Sequence, residues 1–278
     1  MKHLSLVLIV AVALGFAACS DSDNATSVSQ TASDVDMDVQ SRNELDDDVS
    51  TNSSVKSSSS SVAIPASSSD VISGLTGNYL TDSRDGQIYK TVSIGSQTWM
   101  AQNLNYETAN SYCYNDSAKY CSKYGRLYTW AAAMDSVGIW STNGKGCGYD
   151  GSCSPIYPVH GVCPSGWHLP SEDEFKTLFT AVDGRSYGSY VGKKLKSTSG
   201  WSDWEYYGVK SGNGSNDYSF SALPAGFRND NDEYKCEGEV ARFWSSTQDY
   251  MYLTNVGDNS GLSIAHKGNG FSVRCVKD

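Results

Sequence analysis

The clearest hydrophobic rhythm in the chain follows Pro170. Phe175, Leu178, Phe179 and Val182 recur at the three-to-four-residue spacing that gathers apolar side chains on one helix face. Ser171 and Glu174 precede them in capping-box spacing, where the hydroxyl accepts from the third helical N–H and the carboxylate reaches back to the cap. The pattern therefore predicts an amphipathic helix starting after Pro170. A short helix is expected within Leu127 to Met134, with Thr129 as its cap, and a helical turn over Val191 to Lys196. Elsewhere the rhythm is short, β-rich and broken by Gly, Asn and Asp. Two such runs flank Gly95 and Ser96 and read as a hairpin. Further strands are expected around Phe220 to Leu223, Phe243 to Ser246, Met251 to Val256, Leu262 to His266 and Phe271 to Val276. Asn103 to Tyr124 is polar and crowded with tyrosine, and Asn143 to Tyr157 is rich in glycine, so both are expected to be mainly loop. Two or three helices among many short strands, without strand–helix–strand alternation, indicate an α+β fold built on antiparallel pairing.

The first part of the chain has no such rhythm. Met1 to Ala18 carries Lys2 and then an almost wholly apolar run, the pattern of an export signal and short for a membrane span. Its end, Phe16-Ala17-Ala18-Cys19, resembles a bacterial lipoprotein signal. That resemblance implies lipid on Cys19, contact with a membrane through the lipid, and residence in the cell envelope, at the outer membrane or cell surface. Residues 19–76 form a Ser/Asp-rich tether, too poor in apolar surface to offset the entropy of ordering. From Ser20 to Ser73 it holds ten Asp/Glu and two Lys/Arg, a net of −8 out of the chain's −10. The acidity thus belongs to the tether, which as a coil would span about 40 Å. No basic patch supports a nucleic-acid partner. Residues 77–278, rich in Tyr, Trp and Gly, are long enough for one domain with its own core.

Eight cysteines in an exported chain point to disulfides. Cys113 with Cys121, and Cys147 with Cys153, close short local loops. Cys163, Cys236 and Cys275 remain. Pairing Cys163 with Cys275 would tie the centre of the chain to its last strand, leaving Cys236 as the odd cysteine if Cys19 carries lipid.

A resemblance then emerges from six segments in order. They are Gly86 to Leu104, Tyr124 to Trp130, Gly161 to Pro170 (Gly-Val-Cys-Pro-Ser-Gly-Trp-His-Leu-Pro), Asp217 to Arg228, Phe243 to Thr247, and Ser272 to Asp278. Together they resemble the Fibrobacter succinogenes major paralogous domain, a family without a defined biochemical activity. The resemblance implies a C-type-lectin-like fold shared with formylglycine-generating enzymes, in which a mid-chain cysteine bridges to the last strand; this supports Cys163 with Cys275. Those enzymes place a redox, copper-binding cysteine pair shortly before the last strand. Here Phe243 to Ser272 contains no cysteine, so the resemblance does not extend to that chemistry.

Other constellations carry less. His168 sits between Trp167 and Leu169 near Ser165, Ser171 and Glu172, and reads as a packed structural histidine. Asp203, Glu205 and Asp217 could supply a carboxylate pair for a hydrolase. Asp230, Asp232 and Glu233 offer clustered oxygens of the kind Ca²⁺ takes, without an EF-hand frame; no other cofactor is indicated. Trp140, Trp201, Trp204, Tyr206 and Tyr207 are the candidate binding residues, because rigid aromatics among Ser, Gly and Asn are the composition of binding loops. The expected function is a lipid-anchored, non-enzymatic surface module for a polysaccharide or an envelope protein, with a structural envelope protein as the alternative and an unrecognised hydrolase after it.

Overall fold

The computed structural model describes Cys19 and residues 78–149, 152–186, 190–205 and 207–278. The signal segment and the tether lie outside these residues. In chain order the elements are β1 (Tyr79–Thr81), β2 (Ile88–Ile94), β3 (Gln97–Met100), β4 (Ser111–Tyr112), α1 (Ala118–Tyr124), β5 (Leu127–Tyr128), α2 (Trp130–Ala133) and β6 (Trp167–His168). There follow α3 (Glu172–Asp183), α4 (Gly192–Leu195), β7 (Trp204–Glu205), β8 (Val209–Lys210), β9 (Phe227–Arg228) and β10 (Tyr234–Lys235). The last four strands are β11 (Val240–Trp244), β12 (Asp249–Thr254), β13 (Ser260–Ile264) and β14 (Val276–Lys277).

Strands β1-β2-β3-β14-β6 form an antiparallel sheet in that order, and β11-β12-β13 form a second. The pairs β4-β5, β7-β8 and β9-β10 are small antiparallel ribbons. Mixed α+β architecture on antiparallel pairing is therefore what the chain adopts. The last strand enters between β3 and β6, with Val276 opposite both Trp99 and His168.

The predicted helix is α3, and both halves of its capping box are made. Its face of Phe175, Leu178, Phe179 and Val182 is buried against the sheets, with Phe175 stacked on Trp99 at 5.4 Å. Each such side chain contributes about 1.5–3 kcal/mol of burial. The β2–β3 hairpin turns at Gly95, whose φ is +60° and where a Cβ would stand 2.8 Å from Ala181 Cβ. Only glycine satisfies the left-handed turn and the close approach to α3 together.

Several expected elements are differently built. The stretch expected to be loop contains α1, which is stapled to the preceding turn by Cys113–Cys121 and faced by stacked Tyr120 and Tyr124. Phe220 to Leu223 makes one parallel bridge, Lys196 with Ala222, rather than a strand. The expected final strand is reduced to β14, because Phe271 and Ser272 bridge to Tyr128 and Phe243 instead.

Two buried cations lock these irregular pieces. Arg274 is fully buried beside Phe220 and Phe243. Its Nε donates to Asn103 Oδ1 at 2.8 Å, Nη1 to Phe220 O, and Nη2 to Ser221 O at 2.8 Å. Burial lowers its pKa to about 9. Lys196 is 1% exposed and its Nζ donates to Thr254 O at 2.9 Å and Gly257 O at 2.8 Å. Burial lowers its pKa to about 8, against the opposing field of Asp258.

All eight cysteines are paired: Cys113–Cys121, Cys147–Cys153, Cys163–Cys275 and Cys19–Cys236. The last pair corrects the expectation that Cys236 is the odd cysteine. It also bears on Cys19, because one sulfur cannot hold a thioether-linked lipid and a disulfide at once. The two states of Cys19 are alternatives.

Candidate functional site

Around His168 the structure builds a joint. The imidazole Nε2 lies 2.7 Å from Glu174 Oε1, and Nδ1 lies 2.8 Å from Asp278 Oδ1. Burial opposes the charged ring, but the two carboxylates outweigh it, and the net shift of its pKa is upward. Burial likewise works against the ionised Glu174, yet hydrogen bonds from His168 and the Ser171 backbone leave its pKa lowered. Glu174 Oε2 also accepts from the Ser171 N–H at 2.8 Å and hydroxyl at 2.9 Å. With both nitrogens engaged by carboxylates, this histidine fixes α3 to the end of the chain and offers no free base.

The aromatic candidates do not converge. Trp201 is 4% exposed, its Nε1 donating to Ser197 Oγ and Ala222 O, with Lys196 Nζ 5.0 Å from its ring. That corrects its assignment as a binding residue, since neither ring face is offered to solvent. Trp140 is 37% exposed but committed: it meets Tyr106 edge-on at 5.4 Å, and the Arg84 guanidinium lies over both rings. Trp204 is half-buried in β7, Tyr207 is 92% exposed, and Tyr206 lies outside the described residues.

The acidic candidates disperse as well. Asp230 pairs with His266 at 3.2 Å, Asp232 with Arg228 at 2.7 Å, and Glu233 with Lys235 at 3.1 Å. Each oxygen set is directed at a different side chain, which corrects the grouping of these three as Ca²⁺ ligands. Among the described residues, the one cluster with ligand spacing is Cys19, Cys236 and Glu239, and both of its sulfurs are consumed in the disulfide. Asp203, Glu205 and Asp217 are all exposed.

What the structure does bring together is a groove of about 570 Å³ beside β2, with a mixed polar and apolar lining. One side is strand, Lys90 to Ser93, with Gln102 just beyond β3. The facing wall is Asn216, Ser219 and Ser221, whose φ angles of 54°, 55° and 54° all lie in the left-handed region. Such backbone is strained and persists only where its surroundings fix it. Here Asn216 Oδ1 accepts from Ser221 N at 2.8 Å, Asn216 Nδ2 donates to Ser221 Oγ at 2.9 Å, and Arg274 grips the Phe220 and Ser221 carbonyls from below. A smaller cavity of about 120 Å³ adjoins it, sharing Gln102 and Leu223. In its lining, Asn105 Oδ1 is buried without a hydrogen-bond partner. No Asp or Glu lines either space. In the groove, hydroxyls, amides and the Lys90 ammonium share the surface with the apolar Val92, Ala101 and Leu223.

Residues 92–277 match the Fibrobacter succinogenes major domain. The chain belongs to that family. Comparison with curated proteins and with solved structures returns no match. The Fibrobacter succinogenes major domain takes in Val92 and Ser93 of the strand wall and all of Asn216, Ser219 and Ser221, while Asn78, Lys90 and Thr91 precede the matched residues. The joint at His168, the Cys163–Cys275 bridge and buried Arg274 also lie inside it. The sequence reading missed the groove because its residues come from separate segments. The nearest local signal was the polar run Asp217-Tyr-Ser-Phe-Ser221 beside an arginine-bearing last segment.

Proposed function

We propose that this chain is a non-catalytic binding module displayed at the cell envelope on a lipid-modified Cys19, taking a polysaccharide or an envelope protein as ligand. The observation that carries the reading is the groove beside β2: a preorganised wall of hydroxyls and amides, with no carboxylate in its lining. Rigid polar groups favour recognition, because little ordering entropy is lost when a ligand arrives. Glycoside hydrolysis needs a carboxylate pair flanking the bond to be broken, and the groove supplies none. We also read the frame as C-type-lectin-like; the final strand between β3 and β6 and the Cys163–Cys275 tie are consistent with that assignment.

The direct test is retention of the full chain on insoluble glucans and on purified cell envelope. Retention on one of them, lost when the groove wall is altered by Ser219→Glu with Ser221→Glu, is the expected outcome. Failure on both supports defeats the reading. The anchor has its own test. In the lipid-bearing chain the Cys19 sulfur is a thioether, which leaves Cys236 as a thiol; in chain without lipid the two sulfurs form the disulfide. Thiol labelling of unreduced, denatured protein should therefore mark Cys236 in the membrane fraction and nothing in lipid-free protein. Labelling that does not differ between the two fractions counts against the anchor.

A further inference from the structure

Strand β2 outruns its neighbour. The ladder with β1 runs from Thr81 opposite Ile88 to Tyr79 opposite Lys90, and Thr91 N donates to Asn78 O at 2.9 Å, while β2 itself continues to Ile94. On the other side, β3 pairs with β2 throughout, from Thr91 opposite Met100 to Ile94 opposite Gln97. Ala101 N donates to Lys90 O at 2.8 Å, so the even-numbered residues of β2 bond toward β3. Successive residues of a strand direct their N–H and C=O to opposite sides. Thr91 and Ser93 therefore bond away from β3. Thr91 has its partner at Asn78, whereas the backbone N–H and C=O of Ser93 meet no backbone group among the described residues. Ser93 lines the groove, and its own hydroxyl is turned aside to Thr98 Oγ1 at 3.0 Å.

We propose that the groove takes an extended polypeptide segment of a partner protein, added as a strand at the open edge of β2 around Ser93. The inference rests on the binding reading above and narrows it from polysaccharide or protein to protein. A donor and an acceptor on one residue at an open strand edge are the complement of an extended peptide backbone. Opposite them, the fixed Asn216, Ser219 and Ser221 side chains meet the segment's side chains. Lys90, which makes no salt bridge among the described residues, together with the lack of lining carboxylates, favours a neutral or acidic segment over a basic one.

The test uses the full chain and a displayed random library of twelve-residue peptides as the probe. Ser93→Pro removes the one N–H that the incoming strand needs. It leaves the β2–β3 ladder intact, because that N–H points away from β3, the position at which an edge proline is tolerated. Peptides selected on the wild type should bind Ser93→Ala normally and Ser93→Pro about tenfold more weakly or worse, as expected for a lost backbone hydrogen bond with a ring in its place. In the wild type, amide exchange at Ser93 should slow when such a peptide is bound, a readout that holds even if the proline variant folds poorly. Selected peptides that leave Ser93 exchange unchanged, or that bind a folded Ser93→Pro within about twofold of wild type, overturn the proposal. Cello-oligosaccharide slowing exchange at Ser93 where no peptide does so also overturns it, while leaving the broader binding reading in place. Neither probe binding defeats both.

Discussion

The two edges of the five-stranded sheet are finished in opposite ways. At one edge, β6 is two residues long and almost every group around it is engaged. Trp167 and His168 pair with β14, Asp278 N donates to Gly166 O, Cys163 is bonded to Cys275, and the imidazole is held between two carboxylates. At the other edge, β2 extends past β1 beside the groove, with Ser93 facing outward. Short, tied edges prevent unwanted pairing, and a longer open one invites it. The contrast teaches that the motif most conspicuous in the sequence, Gly161 to Phe175, is where the fold is closed, and that the open strand edge lies across the sheet from it.

The largest way to break this contrast is to open the tied edge. Cys163→Ser should cost about 4–5 kcal/mol by the chain-entropy account of a loop this long, seen as a large fall in the denaturant midpoint, with Cys275→Ser matching it. A cost below about 1 kcal/mol would mean that the edge is held by packing alone. Next, Trp201→Ala should destabilise by about 3–5 kcal/mol, as for other buried aromatics, while folded protein keeps its ligand retention; loss of binding without loss of stability would return Trp201 to the binding surface.

His168→Ala should cost about 2–3 kcal/mol, since it removes charge-assisted hydrogen bonds. The cost should also depend on pH. The folded pKa of His168 is raised, so its contribution is complete below its ordinary value of 6.5 and is lost as pH rises through the folded value. Glu174 is lowered, so its contribution is present above its ordinary 4.5 and is lost as pH falls through the folded value. The wild-type advantage over His168→Ala, measured by denaturation across pH, should therefore be greatest between these two values; a flat difference would contradict the charged pairing. The smallest effect belongs to a highly exposed ring: Tyr207 is 92% exposed, and Tyr207→Ala should change stability by no more than about 0.5 kcal/mol in denaturant unfolding, a larger loss counting against a merely superficial role for the ring.

How much of this was legible depended on how local the cause is. The capping box and apolar stripe of α3, the Gly95 hairpin and the two short disulfide loops are written within a few residues, and each could be read in place. The family and the Cys163–Cys275 tie came from motifs rather than from periodicity. Helix α1 was hidden because its polar, tyrosine-rich sequence has no strong apolar stripe and the Cys113–Cys121 bridge helps to hold it. Burial of Trp201 could not be read, since an aromatic among Ser, Gly and Asp looks the same inside or outside until its neighbours arrive from elsewhere. The groove was invisible for a related reason: Ser93, Gln102 and Asn216 are adjacent only because Arg274 and Asn103 hold distant loops together.

The ammonium of Lys196 is supplied by the chain itself. Loops that need a positive charge to gather their carbonyls often recruit a metal ion from the surroundings. The turn between β12 and β13 gathers Thr254 O and Gly257 O around a cation that the polypeptide brings with it. Such a cation cannot be chelated, diluted or exchanged for another ion. While Lys196 stays protonated, this corner of the domain therefore needs no ion from the surroundings, and its cation arrives in the same step as the chain itself.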